Sequence, residues 1–290
     1  MYPRKNYTLP LQDGRTLRLG DRTLVMGIVN VTPDSFADGG LRFDPAHAIA
    51  DALRMEADGA DILDIGGEST RPGSEPVTTE AELDRIQPVL EGLAGRVRVP
   101  ISVDTYKANV ARVGLACGAS IVNDISGLQS DPTLANVVAE YGALLVLVHN
   151  RGRSNDMYKK AIYDDLISEI KTELSESIDQ AVTAGVSRER LILDPGLGFA
   201  KRAVHSYRAL AGLASLASLD QPLLVGPSRK SFLKSALGDT RPEEREWGTA
   251  AAVAASVLLG GHIVRVHRVR EMAQVVKTAD LIRHHQFENL

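Results

Sequence analysis

The residues able to do chemistry in this chain recur at one kind of place, the ends of short apolar runs. In "IVNDIS" (121–126), Ile121, Val122 and Ile125 suit a packed core, but Asn123 and Asp124 set an amide and a carboxylate among them. Burying such a group without a partner costs on the order of 2–7 kcal/mol. Successive strand residues face opposite ways, so Asn123 and Asp124 cannot share one partner, and Asp124 is expected to cap or pair locally. The other runs end similarly, at Asn30, Asp64, Asp104, His149, Asp194, Ser228 with Lys230, and Arg265 with His267. One polar residue at a strand end is ordinarily a cap or a loop hydrogen bond. Eight runs ending this way imply side chains converging on one axis, with capping accounting for two or three of them. Carboxylates and amides together suit a flat heterocycle with donors and acceptors on its edges. Arg71, Arg265 and His267 suit an anionic group such as phosphate or diphosphate. No His/Cys/carboxylate set has zinc spacing, and no Gly-x-Ser-x-Gly nucleophile motif is present.

Eight strands are needed to hold these residues, and the sequence offers eight: 23–31, 61–67, 99–105, 119–125, 143–149, 190–196, 221–228 and 262–269. Amphipathic helical patterns separate them, which predicts a parallel sheet covered by helices. Gly59, Gly118, Gly142, Gly185 and Gly260 each stand just ahead of a strand, where a helix ends in a left-handed residue. Eight such units in about 250 residues fit an α/β fold of the (β/α)8 TIM-barrel type. The competing open doubly wound sheet would usually carry a glycine-rich dinucleotide loop after its first strand, where this chain has "VNVTPDSF". Residues 7–20 alternate about a Gln-Asp-Gly turn and predict a β-hairpin capping the barrel bottom. No linker interrupts the chain, so 1–290 is expected to be a single domain with the barrel at about 23–285.

Composition narrows the partners. With 33 basic against 37 acidic residues, net charge −4, the field is too weak to predict nucleic acid or an anionic membrane as partner. The longest apolar runs, such as "ALLVLV" at 143–148, are too short to span a bilayer. Residues 1–22 lack a signal-peptide apolar core, and a single cysteine, Cys117, permits no intrachain disulfide. A soluble, cytoplasmic protein is expected.

Read in order, "MGIVNVTPDSFADGG" (26–40), "DIGGESTRPG" (64–73), "SVDT" (102–105), "VNDISGL" (122–128), "DPGLGF" (194–199), "VGPSRKSF" (225–232), "GTAAA" (248–252) and "RVH" (265–267) resemble the dihydropteroate synthase family, pterin-binding barrels of folate biosynthesis. The resemblance spans about residues 9 to 285, and the first, second and seventh motifs are its most specific. It implies condensation of 6-hydroxymethyl-7,8-dihydropterin diphosphate with p-aminobenzoate by SN1-like displacement of diphosphate, and inhibition by sulfonamides. Two related possibilities are a methyltetrahydrofolate-binding methyltransferase domain and a non-catalytic pterin-binding paralogue, though neither would need both loop motifs.

Carried over by motif, Asp104, Asn123, Asp194 and Lys230 would read the pterin. Asn30, Thr70, Arg71, Arg265 and His267 would hold the diphosphate, with Asn30 contacting a Mg2+ cofactor. Thr70, Pro72, Phe199 and Ser228 would form the p-aminobenzoate site, and Asp104, Lys230, Arg265 and His267 the catalytic set. The loops 30–40 and 66–76 are expected to close over the site, and the family suggests a homodimer built on helices late in the barrel. The chain departs from the family pattern at Val148, Ala200 and Arg268, where methionine, glycine and an acidic or small polar residue are commoner.

Overall fold

Apolar residues that alternate inward and outward turn the eight runs into one parallel sheet. The computed structural model describes residues 4–32, 44–69, 74–152 and 156–284. A hairpin of β1 (Tyr7–Pro10) and β2 (Thr16–Leu19) precedes the sheet strands β3 (Leu24–Asn30), β4 (Ile62–Gly66), β5 (Ile101–Asp104), β6 (Ile121–Asp124), β7 (Leu144–Val148), β8 (Leu191–Asp194), β9 (Leu224–Val225) and β10 (Ile263–Val266). Helices α1 (Pro45–Ala57), α2 (Thr79–Leu93), α3 (Ala108–Ala116), α4 (Leu134–Tyr141), α5 (Leu166–Thr183), α6 (Ala203–Ala211), the short α7 (Lys234–Leu237), α8 (Glu246–Leu258) and α9 (Val269–His284) follow the strands. The five glycines expected at helix ends all have positive φ, from +58° at Gly142 to +104° at Gly59.

The strand order is β8-β7-β6-β5-β4-β3-β10-β9, all parallel. A parallel bridge between Leu193 and Leu223, with Leu193 N–H donating to Pro222 O at 2.9 Å, joins the two ends. The sheet therefore closes into a barrel, and the open-sheet alternative falls away.

Strand period divides the core in two. Outward residues such as Leu63, Ile65, Val103, Val122, Leu145 and Leu193 pack under the helices. Inward residues Leu24, Met26, Ile62, Ile121, Leu144, Val146, Ile192, Leu224 and Ile263 fill the barrel. Leu9, Leu11, Leu17 and Leu19 of the hairpin belong to that inner cluster, so the hairpin plugs the bottom. Each leucine so buried contributes about 1.5–3 kcal/mol of hydrophobic stabilisation. Above Met26, Ile62, Ile121 and Ile192, the next inward positions are Ile28, Asp64, Asn123 and Asp194, and there the filling turns polar.

Candidate active site

Inward register gathers the polar side chains at the C-terminal ends of the strands, where barrel enzymes place their chemistry. Asp104 stands directly beside Asn123 in the β5–β6 register. Asn123 donates through Nδ2 to Asp64 Oδ2 at 3.1 Å, an orientation fixed because a carboxylate only accepts. Arg265 enters from β10 and spans two carboxylates, Nε to Asp64 Oδ2 and Nη2 to Asp104 Oδ2, each at 2.5 Å. Asp194 Oδ1 accepts the N–H of Gly196 at 2.7 Å. Lys230 Nζ lies 3.8 Å from the centre of the Phe199 ring, a cation–π contact.

Two buried acceptors in this group, Asp64 Oδ1 and Asn123 Oδ1, have no hydrogen-bond partner in the protein. Asp64 is fully buried and Asn123 is 2 % exposed, so each carries a desolvation cost that a ligand edge would offset.

The electrostatics follow from burial. It pushes the Asp104 carboxyl up to about 7, against the pull of the Arg265 guanidinium. Asp194 is pushed up to about 6 by burial, opposed by the Gly196 N–H and by Lys230. Lys230 is drawn down to about 8 by burial and by Arg265, while Asp194 and Asp104 hold it up.

Above these groups opens a cavity of about 410 Å3, lined among others by Asn30, Glu68, Asp104, Phe199, Ser228, Lys230, Arg265 and His267. Ser228 and His267 form one unit, Ser228 Oγ lying 2.9 Å from His267 Nδ1 and accepting the His267 backbone N–H at 3.3 Å. Asn123 and Asp194 sit just below this wall rather than on it, at 2 % and 5 % exposure. Thr70, Arg71 and Pro72 lie outside the described residues, as does most of the loop 30–40.

Two strand-end residues do not join the group. Asp124 turns outward and accepts the N–H groups of Ser126 at 2.8 Å and Leu128 at 2.6 Å, the local cap expected for it. His149 also turns out of the barrel, toward Lys201 and Glu173. Val148 is buried in the inner cluster, and Arg268 pairs with Glu271 on the exterior.

Sequence reasoning missed several supports. Asp64, one strand-end carboxylate among several, is the hub that orients both Asn123 and Arg265. Glu68, at the base of the "GGEST" loop, is held by Lys107 Nζ at 2.5 Å and Tyr106 Oη at 2.9 Å. Arg229 adopts φ +58°, with its N–H on Thr249 Oγ1 at 3.1 Å and its carbonyl on Arg245 Nη1 at 2.8 Å. These bonds give the "GTAAA" stretch a physical task, fixing the turn that carries Ser228 and Lys230.

A closed barrel whose polar mouth pairs ring-reading acids and amides with cations defines a barrel enzyme for a flat polar substrate. The sequence profile of the family described as pterin binding enzyme matches residues 26–267. The dihydropteroate synthase of Synechocystis sp. is 47% identical over 274 residues, 94% of this chain and 95% of its own length. In structure, a Xanthomonas albilineans dihydropteroate synthase with 4-aminobenzoic acid superposes with TM-score 0.89 at 40% identity, covering 96% of this chain and 99% of its own. A Yersinia pestis dihydropteroate synthase in a sulfonamide drug complex gives 0.89 at 41% identity, covering 96% and 100%. The chain belongs to the pterin-binding enzymes and, within them, to the dihydropteroate synthase family.

Proposed function

We propose that the chain condenses 6-hydroxymethyl-7,8-dihydropterin diphosphate with p-aminobenzoate, giving 7,8-dihydropteroate and diphosphate in folate biosynthesis. The observation that carries this reading is the pair of unpartnered buried acceptors, Asp64 Oδ1 and Asn123 Oδ1, beside Asp194 under a cationic mouth. In the reading, Asp194 accepts from the pterin 2-amino group and N3–H, and Asn123 and Asp104 complete the rim. Lys230 donates to the ring's acceptor atoms. The carbon–oxygen bond to diphosphate breaks with its electron pair leaving on diphosphate, and the pterin ring spreads the positive charge left on the methylene. The amine of p-aminobenzoate, neutral at pH 7, then forms the carbon–nitrogen bond and loses a proton. Arg265, His267 and Arg71 act on the charge of the departing group.

A Mg2+ ion fits the donors present. Among the described residues no cluster of three or more His, Cys, Asp or Glu stands ready to hold an ion alone. Asn30 on the cavity wall suits an ion that keeps water and diphosphate oxygens as its other ligands. Bound there, Mg2+ would supply positive charge against the leaving diphosphate.

The second site, for p-aminobenzoate, is assigned to Thr70, Pro72, Phe199 and Ser228. The 4-aminobenzoic acid and sulfonamide held by the two relatives support it. The reading extends to a cytoplasmic homodimer. No helix among the described residues is long and apolar enough to cross a membrane, and Trp247 on α8, 87% exposed, offers an apolar side chain for a contact between copies.

Diphosphate release from the pterin substrate, with and without p-aminobenzoate, tests the reaction. Rapid release that yields dihydropteroate when both substrates are present is expected. Tight pterin binding with no turnover under those conditions would reduce the chain to a binding protein.

A further inference from the structure

Behind the Phe199 wall lies a buried cluster that the proposed reaction does not use. Lys201 follows the active-site turn and is only 1 % exposed, among the largest fully buried side chains described. Its Nζ touches three acceptors: His149 Nδ1 at 2.6 Å, Phe199 O at 3.1 Å and His149 O at 3.3 Å. Three acceptors match the three donors of an ammonium group. The histidine is set up to accept, because burial holds its pKa down to about 4 and Nε2 faces Glu173 Oε2 at 3.1 Å. Lys201, as an ammonium, can only donate, so Nδ1 is the acceptor and the ring proton sits on Nε2, close to Glu173 Oε2 but out of hydrogen-bond alignment with it. Glu173 is in turn paired with Arg151.

The residue between Phe199 and Lys201 is strained. Ala200 has φ +47°, a left-handed conformation that disfavours a Cβ-bearing residue, and it is completely buried. Such conformations persist when their surroundings over-determine them. Here two consecutive carbonyls are held by two side chains: Phe199 O by Lys201, and Ala200 O by the Tyr163 hydroxyl at 3.0 Å. The same turn packs against the end of β7 so closely that a Cβ on Gly196 would lie 1.9 Å from His149 O.

We propose that Lys201 and Tyr163 are positioning residues that lock the 196–200 turn and so set the Phe199 ring as a rigid wall between the aminobenzoate site and Lys230. Neither residue touches substrate in this arrangement. Asp194 is held by the β8 ladder outside the turn, and takes from the turn only its first residue, through the bond from Gly196 N–H. Loss of the lock should therefore fall chiefly on the aminobenzoate side and far less on the pterin side.

The assignment of Phe199 to aminobenzoate rests on the functional reading above, so the test has one arm that does not. Lys201→Met and Tyr163→Phe are compared with the unaltered protein in hydrogen–deuterium exchange of the ligand-free chain and in steady-state kinetics. Lys201→Met keeps the volume but leaves three buried acceptors unserved, and is expected to speed exchange across 196–202 by about tenfold or more while 191–194 stays protected. The KM for p-aminobenzoate should rise by a similar factor, with the KM for the pterin diphosphate changed by less than about threefold. Tyr163→Phe removes one hydroxyl and should show the same pattern, weaker; it decides the matter if Lys201→Met does not fold. Unchanged exchange at 196–202 in a folded variant overturns the proposal, as does an equal rise in both KM values. Absence of turnover in the unaltered protein would instead overturn the functional reading, and the exchange arm would still decide whether the lock exists.

Discussion

The two ends of the barrel bury polar groups in opposite ways. At the bottom, Arg4 donates to Gly20 O, Thr23 Oγ1, Gly261 O and Asp280, and Asp280 also receives both the N–H and the hydroxyl of Thr23. His262 is equally settled there, its Nδ1 accepting from Leu223 N–H and its Nε2 lying 3.0 Å from Lys5 O. At the mouth, Asp64 Oδ1, Asn123 Oδ1 and Ser102 Oγ are buried with no partner. The bottom spends its polar groups on holding the hairpin and α9 to the barrel, and among the described residues no buried side-chain donor or acceptor there lacks a partner. The mouth leaves acceptors open, at some cost in stability, as groups that bind a ligand do.

The largest effect that could break this contrast is at the bottom. Asp280→Ala strips the buried Arg4 guanidinium of its counter-charge and leaves two donors of Thr23 without their acceptor, and should cost about 3–5 kcal/mol in urea unfolding. The kcat/KM of the protein that remains folded should hardly change. A large loss of activity without loss of stability would mean that the two ends are not separable.

Titration sharpens the contrast because the two ends have opposite signs. Asp194 is raised to about 6 and Asp104 to about 7 in the native state. The native mouth therefore binds protons that the unfolded chain has released, a stabilisation present below pH 4 and lost as pH rises through 6 to 7. His262 is drawn down to about 4 by burial, so its contribution is present above pH 6.5 and lost as pH falls toward 4. Urea midpoints measured from pH 4 to 7.5 should show Asp194→Asn gaining on the unaltered protein as pH rises. His262→Gln should gain on it only as pH falls. Parallel curves for both variants would contradict the assignment.

A smaller effect concerns backbone strain at the mouth. Ala200→Gly relieves a left-handed alanine and should raise stability by up to about 1 kcal/mol in thermal unfolding, with the fold unchanged. A drop in stability would mean that the methyl group's packing outweighs the strain.

How much of this was legible in the sequence follows from the range of the interactions. All eight strands were legible because buried parallel strands are short β-branched runs between helix-ending glycines, a local signal. Asn123, Asp104 and Asp194 stood out because a polar side chain inside such a run contradicts its surroundings. The lysine of "GFAKRAV" does not stand out, since a cation between loop and helix reads as surface; its burial depends on His149, 52 residues away. Nor does the pairing of Arg265 with Asp64 and Asp104 show in one dimension. Sequence alone assigns that arginine to the diphosphate clamp, whereas the ligand-free barrel already matches its charge with two carboxylates. Arg4 and Asp280, 276 residues apart, could be brought together only by closure of the fold.

The central claim is that the carboxylate and amide acceptors at the mouth, Asp194 foremost, are held for a pterin edge, and one calorimetric comparison at Asp194 tests it most directly. A pterin lacking diphosphate is titrated at pH 7.5 into the unaltered protein and into Asp194→Asn, with thermal unfolding recorded for both. The amide keeps an acceptor for Gly196 N–H but turns a donor toward the ring's N–H edge, so affinity should fall by about 10- to 100-fold while stability stays equal or rises. Equal pterin affinity in two folded proteins would contradict the account.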